Sequence, residues 1–356
     1  MSYSGRYIRQ TKLLSFGIDN QSKLSANKIL IVGLGGLGLP IAQYLNAMGI
    51  GTLGLMDQDV VELHNLQRQI LYSEDDIGKS KLKVVKEKLQ GQNSNTVFKC
   101  YDTFLTKANA LAIIKEFDVV VDATDNFAAR YLINDACVIL EKPFVYGALH
   151  GFEGQVSVFN YKKGPTYRCL FPEMPSIDEI PNCDDNGVLG VLPGIIGTLQ
   201  ALEVVKVITG VGEVLSGKLL LYDGLTQATQ KMNFPANAIN QNIKMLQDDY
   251  GFTGCEIIPT IHPEDFLALT NRETIILIDV RNPEEFDANH LDGAVNIPLS
   301  ELTNAIDKID FDKDVYLLCQ SGKRSRIALN QLLAERPKSS IYHISGGMNE
   351  MASLCL

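Results

Sequence analysis

Residues 28–57 read KILIVGLGGLGLPIAQYLNAMGIGTLGLMD, and the fold of the first part of the chain follows from them. The run 28–32 is short, apolar and β-branched, as a buried parallel strand requires. Gly33, Gly35 and Gly38 then give the spacing GxGxxG, with a further glycine at Gly36. An apolar-periodic helix is predicted over 37–48, and a second strand ends at Asp57. Without Cβ atoms, the glycines permit a tight turn and let a phosphate approach the backbone. The helix N-terminus adds free N–H groups and partial positive charge. An acid closing the second strand suits ribose hydroxyls. Strand, turn, helix, strand and acid in that order point to a bound nucleotide rather than to a merely structural turn.

At 356 residues the chain is long enough for two domains, at about 100–200 residues each. Its 46% apolar and 21% charged residues suit packed cores with an ordinary soluble surface. A net charge of −10 opposes a nucleic-acid role. No run reads as a bilayer span, and the N-terminus MSYSGRYIRQ lacks a signal-peptide core. Seven cysteines, an odd number and widely scattered, do not make a disulfide framework and suit a reducing cytoplasm. Cys100 and Cys137 read as small core residues.

Working outward, Arg6-Tyr7-Ile8-Arg9-Gln10 reads from residue types alone as a solvated helix start. After Asp57 the stretch 58–69 (QDVVELHNLQRQ) is too polar for a buried strand and too irregular for an amphipathic helix. It lies at the C-terminal end of a strand, where open α/β sheets hold ligands, so Asn65 and Arg68 become candidate phosphate contacts. His64 reads as an ordinary loop histidine. Gly78-Lys79-Ser80-Lys81 opens a helix, and a lysine there can reach a triphosphate as a point charge. Strands at 96–101 and 118–122 with a helix near 107–116 between them complete a βαβ alternation. Asp125 and Asn126 follow the second of these strands. They suit a helix cap, yet an acid on that edge also suits Mg²⁺, which prefers hard oxygens together with substrate phosphates. Strands at 143–148 and 155–161, a long loop at 167–186 that holds Cys169 and Cys183, an apolar helix at 194–209 and a last strand at 218–223 follow. The polar stretch from 227 reads as a linker, and a second α/β pattern begins near 256. Its strands are expected at 275–280, 314–319 and 341–344.

The first domain resembles the ThiF/MoeB family of ubiquitin-like-protein activating enzymes. The resemblance rests on RYIRQ (6–10), GLGGLG (33–38), DQDVVELHNLQRQ (57–69), GKSK (78–81), DATDNFAARYLIND (122–135) and CDDNGVLGVLPGIIGTLQALEVVK (183–206). It implies a Rossmann-like, ATP-binding domain with a mixed sheet. It also implies a homodimer that uses ATP and Mg²⁺ to adenylate the C-terminal glycine of a small β-grasp sulfur carrier ending in Gly-Gly. Carried over by position, Gly33, Gly35, Gly36 and Gly38 line the nucleotide and Asp57, with Asp59 beside it, takes the ribose. Asn65, Arg68 and Lys81 hold phosphates, Asn126 belongs to the nucleotide site, Asp125 takes the metal, and Arg9 reaches the neighbouring subunit's site. The chemistry agrees, because a carboxylate attacking an α-phosphorus needs cations and a metal to offset the repulsion between anions.

The second domain resembles a rhodanese through IDVR (278–281), PEEF (283–286), HLDGA (290–294) and the loop Cys319-Gln320-Ser321-Gly322-Lys323-Arg324. Loop N–H groups and a helix N-terminus suit a thiolate or persulfide on Cys319, and Lys323 and Arg324 add positive potential. A Cys-x5-Arg phosphatase loop is the near competitor. Here position +6 is Ser325 and no histidine precedes the cysteine, which favours sulfur chemistry. Cys183 falls at the family's acyl-acceptor or sulfur-relay position.

The domains are expected at 1–226 (adenylation), 227–255 (linker) and 256–356 (smaller α/β rhodanese). Together they imply adenylation of a carrier followed by sulfur transfer from a donor such as a cysteine desulfurase, through Cys319, to give a thiocarboxylate. Many relatives carry a structural zinc in two CxxC pairs. Here Thr166 and Cys169 occupy the first pair and Cys255 alone lies near the second, so the donor set argues against zinc. Met351 falls where rhodaneses often have an aromatic. Three rivals stand beside this reading. The glycine turn and Asp57 alone would also fit a nicotinamide-dependent oxidoreductase. A scaffold for a ubiquitin-like partner would not need the charged residues. A conjugation enzyme forming a thioester on Cys183 would have no use for a rhodanese domain.

Overall fold

The run that opens the reading above forms β1 (Lys28–Val32), with all but Lys28 buried. The computed structural model describes residues 3–175, 187–250, 259–269, 274–336 and 339–354. The helix Gly38–Met48 follows the glycine turn, and Gly49 ends it in the left-handed conformation that favours glycine. β2 (Thr52–Met56) stops one residue before Asp57. Ser80 caps the helix Lys81–Gln92 by accepting the Lys83 N–H. β3 (Val97–Tyr101), β4 (Val119–Asp122), β5 (Phe144–His150), β6 (Glu153–Phe159), β7 (Lys218–Asp223) and β8 (Thr229–Asn233) complete one mixed sheet in the order β3-β2-β1-β4-β5-β6-β7-β8. From β3 to β5 the pairing is parallel, and from β5 to β8 it is antiparallel. β1 has β2 on one side and β4 on the other, so its C-terminal end is the topological switch point where such sheets bind ligands. Leu24, Ile29, Ile31, Leu45, Leu55, Val121 and Val204 are fully buried in the core around it.

A second compact unit begins at about residue 252. Its sheet is parallel throughout, in the order β11-β10-β12-β13-β9. These strands are β9 (Thr260–Ile261), β10 (Ile275–Asp279), β11 (Ala294–Asn296), β12 (Asp314–Leu318) and β13 (Ile341–Ile344). The helices Lys323–Glu335 and Gly347–Leu354 follow β12 and β13. Met351 is buried beside Phe266 and Met348, so a thioether fills the place where an aromatic is common in rhodaneses.

Several expectations are corrected. The stretch read as linker contains β8, a fully exposed strand whose sequence TQKMN lacks the alternation that marks a half-buried one. The segment read as a loop from 167 opens with a short helix, Tyr167–Leu170, and residues 176–186, Cys183 among them, lie outside the described residues. Cys137 is buried as expected, but Cys100 is exposed on the sheet's edge strand. The helix Val191–Thr209 is long and apolar enough to cross a membrane by length and composition, contrary to the sequence reading. It packs on β5 and β6 instead, with Gln200 and Glu203 buried along it and Glu203 accepting the Leu215 N–H.

The helix Phe127–Ile139 ties distant parts of the first unit together. Asp135, buried on it, receives a two-pronged ion pair from Arg168 (2.7 and 2.9 Å) and the Tyr250 hydroxyl at 2.8 Å. One turn earlier, Tyr131 donates its hydroxyl to the carbonyls of Phe171 and Glu173. Tyr250 therefore docks the end of the first unit onto the same helix that holds the chain entering residue 176. Asp135→Ala should strand the Arg168 guanidinium in a nearly dry site. We expect the first unit's urea transition to lose about 3–5 kcal/mol, read against the unchanged transition of the second unit.

Candidate active sites

At the switch point the glycine turn is fixed by close contacts. Gly33 has φ +95°, and a Cβ there would lie 2.7 Å from the Ala123 carbonyl oxygen. A Cβ on Gly38 would stand 2.0 Å from the Gly33 carbonyl oxygen, so the helix can start this close to β1 only with glycine. Gly36 faces Pro193, and Gly35 faces the Gln69 side chain. The Gln69 Oε1 is buried and has no hydrogen-bond partner among the described residues, so a polar acceptor lies beside the turn.

Asp57 is buried, and its carboxylate accepts the Leu34 N–H (2.7 Å) from the turn and the Asp59 N–H (2.8 Å) from its own loop. Burial pushes its carboxyl above the usual range, while Lys81 and the two backbone amides pull it back. A carboxylate has further lone pairs, so these two bonds leave acceptor capacity for a ribose. Lys81, nearly buried at the first position of its helix, donates to Asp59 at 2.9 Å. The Tyr72 hydroxyl reaches the Leu34 carbonyl at 2.9 Å, bracing the turn from the other side. Asn65, buried in the short turn Leu63–Asn65, accepts the Glu62 N–H and lies 3.0 Å from the His64 ring. Arg68, half-buried, donates to the His64 carbonyl at 3.0 Å. Asn126 caps its helix by accepting the Ala129 N–H at 2.8 Å, and Asp125 is exposed at the C-terminal end of β4.

Sequence reasoning passed over the support beneath Asp125. Asp122 is completely buried, and its Oδ1 accepts both the Thr124 N–H (3.0 Å) and the Thr124 hydroxyl (2.6 Å). Arg130, also buried, donates to the Thr124 carbonyl at 3.1 Å, lies over the rings of Phe127 and Tyr146, and comes within 3.9 Å of Asp122. Burial pushes the Asp122 carboxyl up against the pull of Arg130. An acid and an arginine eight residues apart, spanning a strand end and a helix, were the signal available for this pair.

Arg9 belongs to the helix Ile8–Thr11. Its neighbours anchor at the far end of Gly38–Met48, with the Tyr7 ring packed on Gly49 and Gln10 donating to the Met48 carbonyl. That helix spans about 16 Å, so Arg9 is not brought to the glycine turn of its own chain.

In the second unit Cys319 follows β12 and is buried, with its sulfur 3.6 Å from the Ser325 hydroxyl. It is thus less exposed than its polar loop suggested. Gly322, at φ +82°, caps the helix Lys323–Glu335. Beside the loop lies a cavity of about 460 Å³ lined by Arg281, Glu285, Asn289, Gln320, Met348 and Asn349. Arg281 and Arg324 each already have a carboxylate. Arg281 forks onto Asp279 (2.7–3.0 Å), and Arg324 makes two 2.6 Å bonds to Glu285. Arg324 holds the Glu285 carboxyl down at about 2. Glu285 and Arg281 were visible in the sequence only as motif letters, because their partners lie elsewhere in the fold.

A glycine turn at a switch point, followed by a cysteine loop between strand and helix, defines a nucleotide-activating enzyme joined to a sulfurtransferase. The family model for the ThiF family matches residues 7–243, and that for the rhodanese-like domain matches 262–354. The chain belongs to the ThiF family, carries a C-terminal rhodanese-like domain, and is an adenylyltransferase with sulfurtransferase activity. It is 40% identical over 370 residues to the adenylyltransferase and sulfurtransferase MOCS3-2 of Drosophila pseudoobscura pseudoobscura, covering 97% of this chain and 82% of that protein. With MOCS3 of Culex quinquefasciatus it shares 38% over 376 residues, covering 97% and 86%. The crystal structure of E. coli MccB with MccA-N7isoASN has the same fold, at a TM-score of 0.60 and 24% identity over 68% of this chain and 75% of that one.

The Glu285–Arg324 pair carries a pH signature. Its carboxyl is lowered from the ordinary 4.5 to about 2, so the stabilisation is complete above the unfolded value and is lost as pH falls through the folded one. Melting temperatures of the parent and Glu285→Gln should therefore differ most near neutral pH and converge between pH 4.5 and 2. A gap that stays constant over that range would show that the pair contributes nothing.

Proposed function

We propose that the first unit adenylates the C-terminal glycine of a ubiquitin-like sulfur carrier ending in Gly-Gly, and that the second delivers the sulfur that turns the adenylate into a thiocarboxylate. The observation that carries the reading is the assembly of the glycine turn, Asp57, Asp59 and buried Lys81 at one switch point, in a chain that also presents Cys319 ahead of a helix. The donors present fit ATP. A turn with no room for Cβ atoms admits phosphates, Asp57 retains acceptor capacity for the ribose, and Lys81, Arg68 and Asn65 supply charge and donors for the phosphates. Mg²⁺ fits less through a preformed cage than through Asp125, with Asn126 nearby and the substrate's own phosphates completing the shell. When bound, the ion neutralises charge on the departing pyrophosphate.

The carrier's carboxylate is already ionised, so no general base is required. Its oxygen bonds to the α-phosphorus as the bond to pyrophosphate breaks, and Lys81 and Arg68 offset the charge that develops. A donor such as a cysteine desulfurase loads Cys319 with sulfane sulfur. The terminal sulfur of that persulfide displaces AMP from the acyl-adenylate and leaves an acyl disulfide on Cys319. The Cys183 thiolate then attacks the Cys319 sulfur, the S–S bond breaks to release the thiocarboxylate, and the Cys183–Cys319 disulfide so formed is reduced by a dithiol reductant of the cytoplasm. The enzyme works as a homodimer in a reducing cytoplasm, with Arg9 completing the neighbouring subunit's site. Its distance from the turn of its own chain supports that role, as do the exposed apolar side chains of Ile8, Leu13, Leu14 and Ile18 around it.

ATP–pyrophosphate exchange with each Gly-Gly-ending carrier of the same organism tests the first half. Exchange should appear with at least one carrier, and Lys81→Ala should lower it by about 10²-fold or more. Cys319→Ala should retain exchange and lose thiocarboxylate, read by mass spectrometry of the carrier. Loss of both activities in Cys319→Ala would overturn the division of labour, and exchange with no carrier despite ATP binding would favour a scaffold.

A further inference from the structure

We infer that this chain closes without a metal ion the junction that many of its relatives close with zinc, using a hydrogen-bonded clasp between residues 163–169 and 237–241. The first zinc-pair positions are Thr166 and Cys169, three residues apart. The described residues that face them are Asn237 and Asn240, also three apart, and Cys255 lies outside the described residues. The Cys169 sulfur accepts the backbone N–H of Asn237 at 3.2 Å and that of Thr166 at 3.3 Å, and lies 3.4 Å from the Thr166 hydroxyl. Thr166 is fully buried, and its hydroxyl lies 3.4 Å from the Asn240 carbonyl.

The remaining bonds run between side chains of one segment and carbonyls of the other. Asn240 donates its amide to the Arg168 carbonyl at 2.8 Å, and Gln241 donates to the carbonyls of Lys163 (2.7 Å) and Gly164 (3.0 Å). Asn237 shapes the facing turn, its Oδ1 accepting the Ile239 N–H at 3.0 Å and its carbonyl accepting the Asn240 N–H at 3.1 Å. Four positions with the spacing of two C-x-x-C pairs thus converge, but they hold one thiol, one hydroxyl and two amides. A structural zinc takes four thiolate or imidazole ligands, and neither a threonine hydroxyl nor an asparagine amide serves. Thr166, Cys169 and Asn240 instead turn their polar groups toward the opposite segment of the clasp, where neutral polar groups lower the free energy of a buried junction. The donor set does not fit zinc, and it does fit a direct hydrogen-bonded closure.

The clasp predicts two behaviours of the full-length protein. The natural chain, produced in zinc-replete medium, should contain far less than one zinc per chain, and its melting temperature should be the same with and without EDTA. The variant Thr166→Cys, Asn237→Cys, Asn240→Cys should restore the four thiols. It is expected to bind about one Co²⁺ per chain with the visible bands of tetrahedral thiolate ligation, and to melt higher with Zn²⁺ than with EDTA. As a second arm, Asn240→Leu should lower the melting temperature and speed backbone hydrogen exchange at 237–241, with no rescue by zinc. One zinc per natural chain, removed by EDTA with a fall in melting temperature, would overturn the inference. So would a triple variant with intact circular dichroism that binds no Co²⁺, since the four positions would then not converge. If the triple variant fails to fold, the zinc content of the natural chain and the Asn240→Leu exchange decide the matter on their own.

Discussion

Two backbone amides, from Leu34 and Asp59, meet on the buried carboxylate of Asp57, and the ligand end of the first unit is assembled around that meeting. The first amide belongs to the glycine turn and the second to the loop after β2, so one side chain sets the spacing of both. Asp59 then passes the constraint to Lys81, and through it to the start of the next helix. The arrangement is self-consistent electrostatically. An acid driven toward its neutral form by burial is kept an acceptor by the N–H groups and the ammonium that need it as one. The close approach of Gly38 to the Gly33 carbonyl does the corresponding work sterically, by holding the helix N-terminus against the strand that leads into it.

The parts of this architecture that were legible in sequence are those where local pattern and tertiary role coincide. The strand at 28–32, the helix opening at Lys81 and the cap at Asn126 declare themselves through apolar runs and cap residues, and the structure places them there. β8 was not legible, because an edge strand exposed on both faces needs no apolar alternation. The Asp122–Arg130 pair was only hinted at by its spacing, because its meaning lies in burial that the fold alone shows. Pairings across long separations, such as Glu285 with Arg324 and Tyr250 with Asp135, are set by topology alone. The whole polar stretch after 227 was read as linker for a similar reason. Asparagine and glutamine look solvated in a sequence, and only the fold shows that Asn240 and Gln241 spend their amides on specific carbonyls.

Arg281 and Arg324 of the second unit are paired with carboxylates, as Lys81 is in the first. Asp279 and Glu285 each neutralise a guanidinium beside the cavity, so the described arginines frame it as rigid, charge-balanced posts and not as open anion hooks. Cys319 sits behind them in an apolar setting, where its loop carbonyl and that of Gln320 are held by the amides of Met348 and Asn349. The last helix thereby braces the cysteine loop, and the buried Met351 anchors that helix in the core.

The clasp at Thr166, Cys169, Asn237 and Asn240 also bears on chemical compatibility. Sulfane sulfur reacts readily with thiolates, and a chain with a rhodanese-like domain gains from carrying few spare ones. With one cysteine, one hydroxyl and two amides at these positions, the junction presents a single thiol where four would otherwise stand. The junction is in this way reduced to one oxidisable group, and its closure does not depend on the metal supply of the cell that makes it.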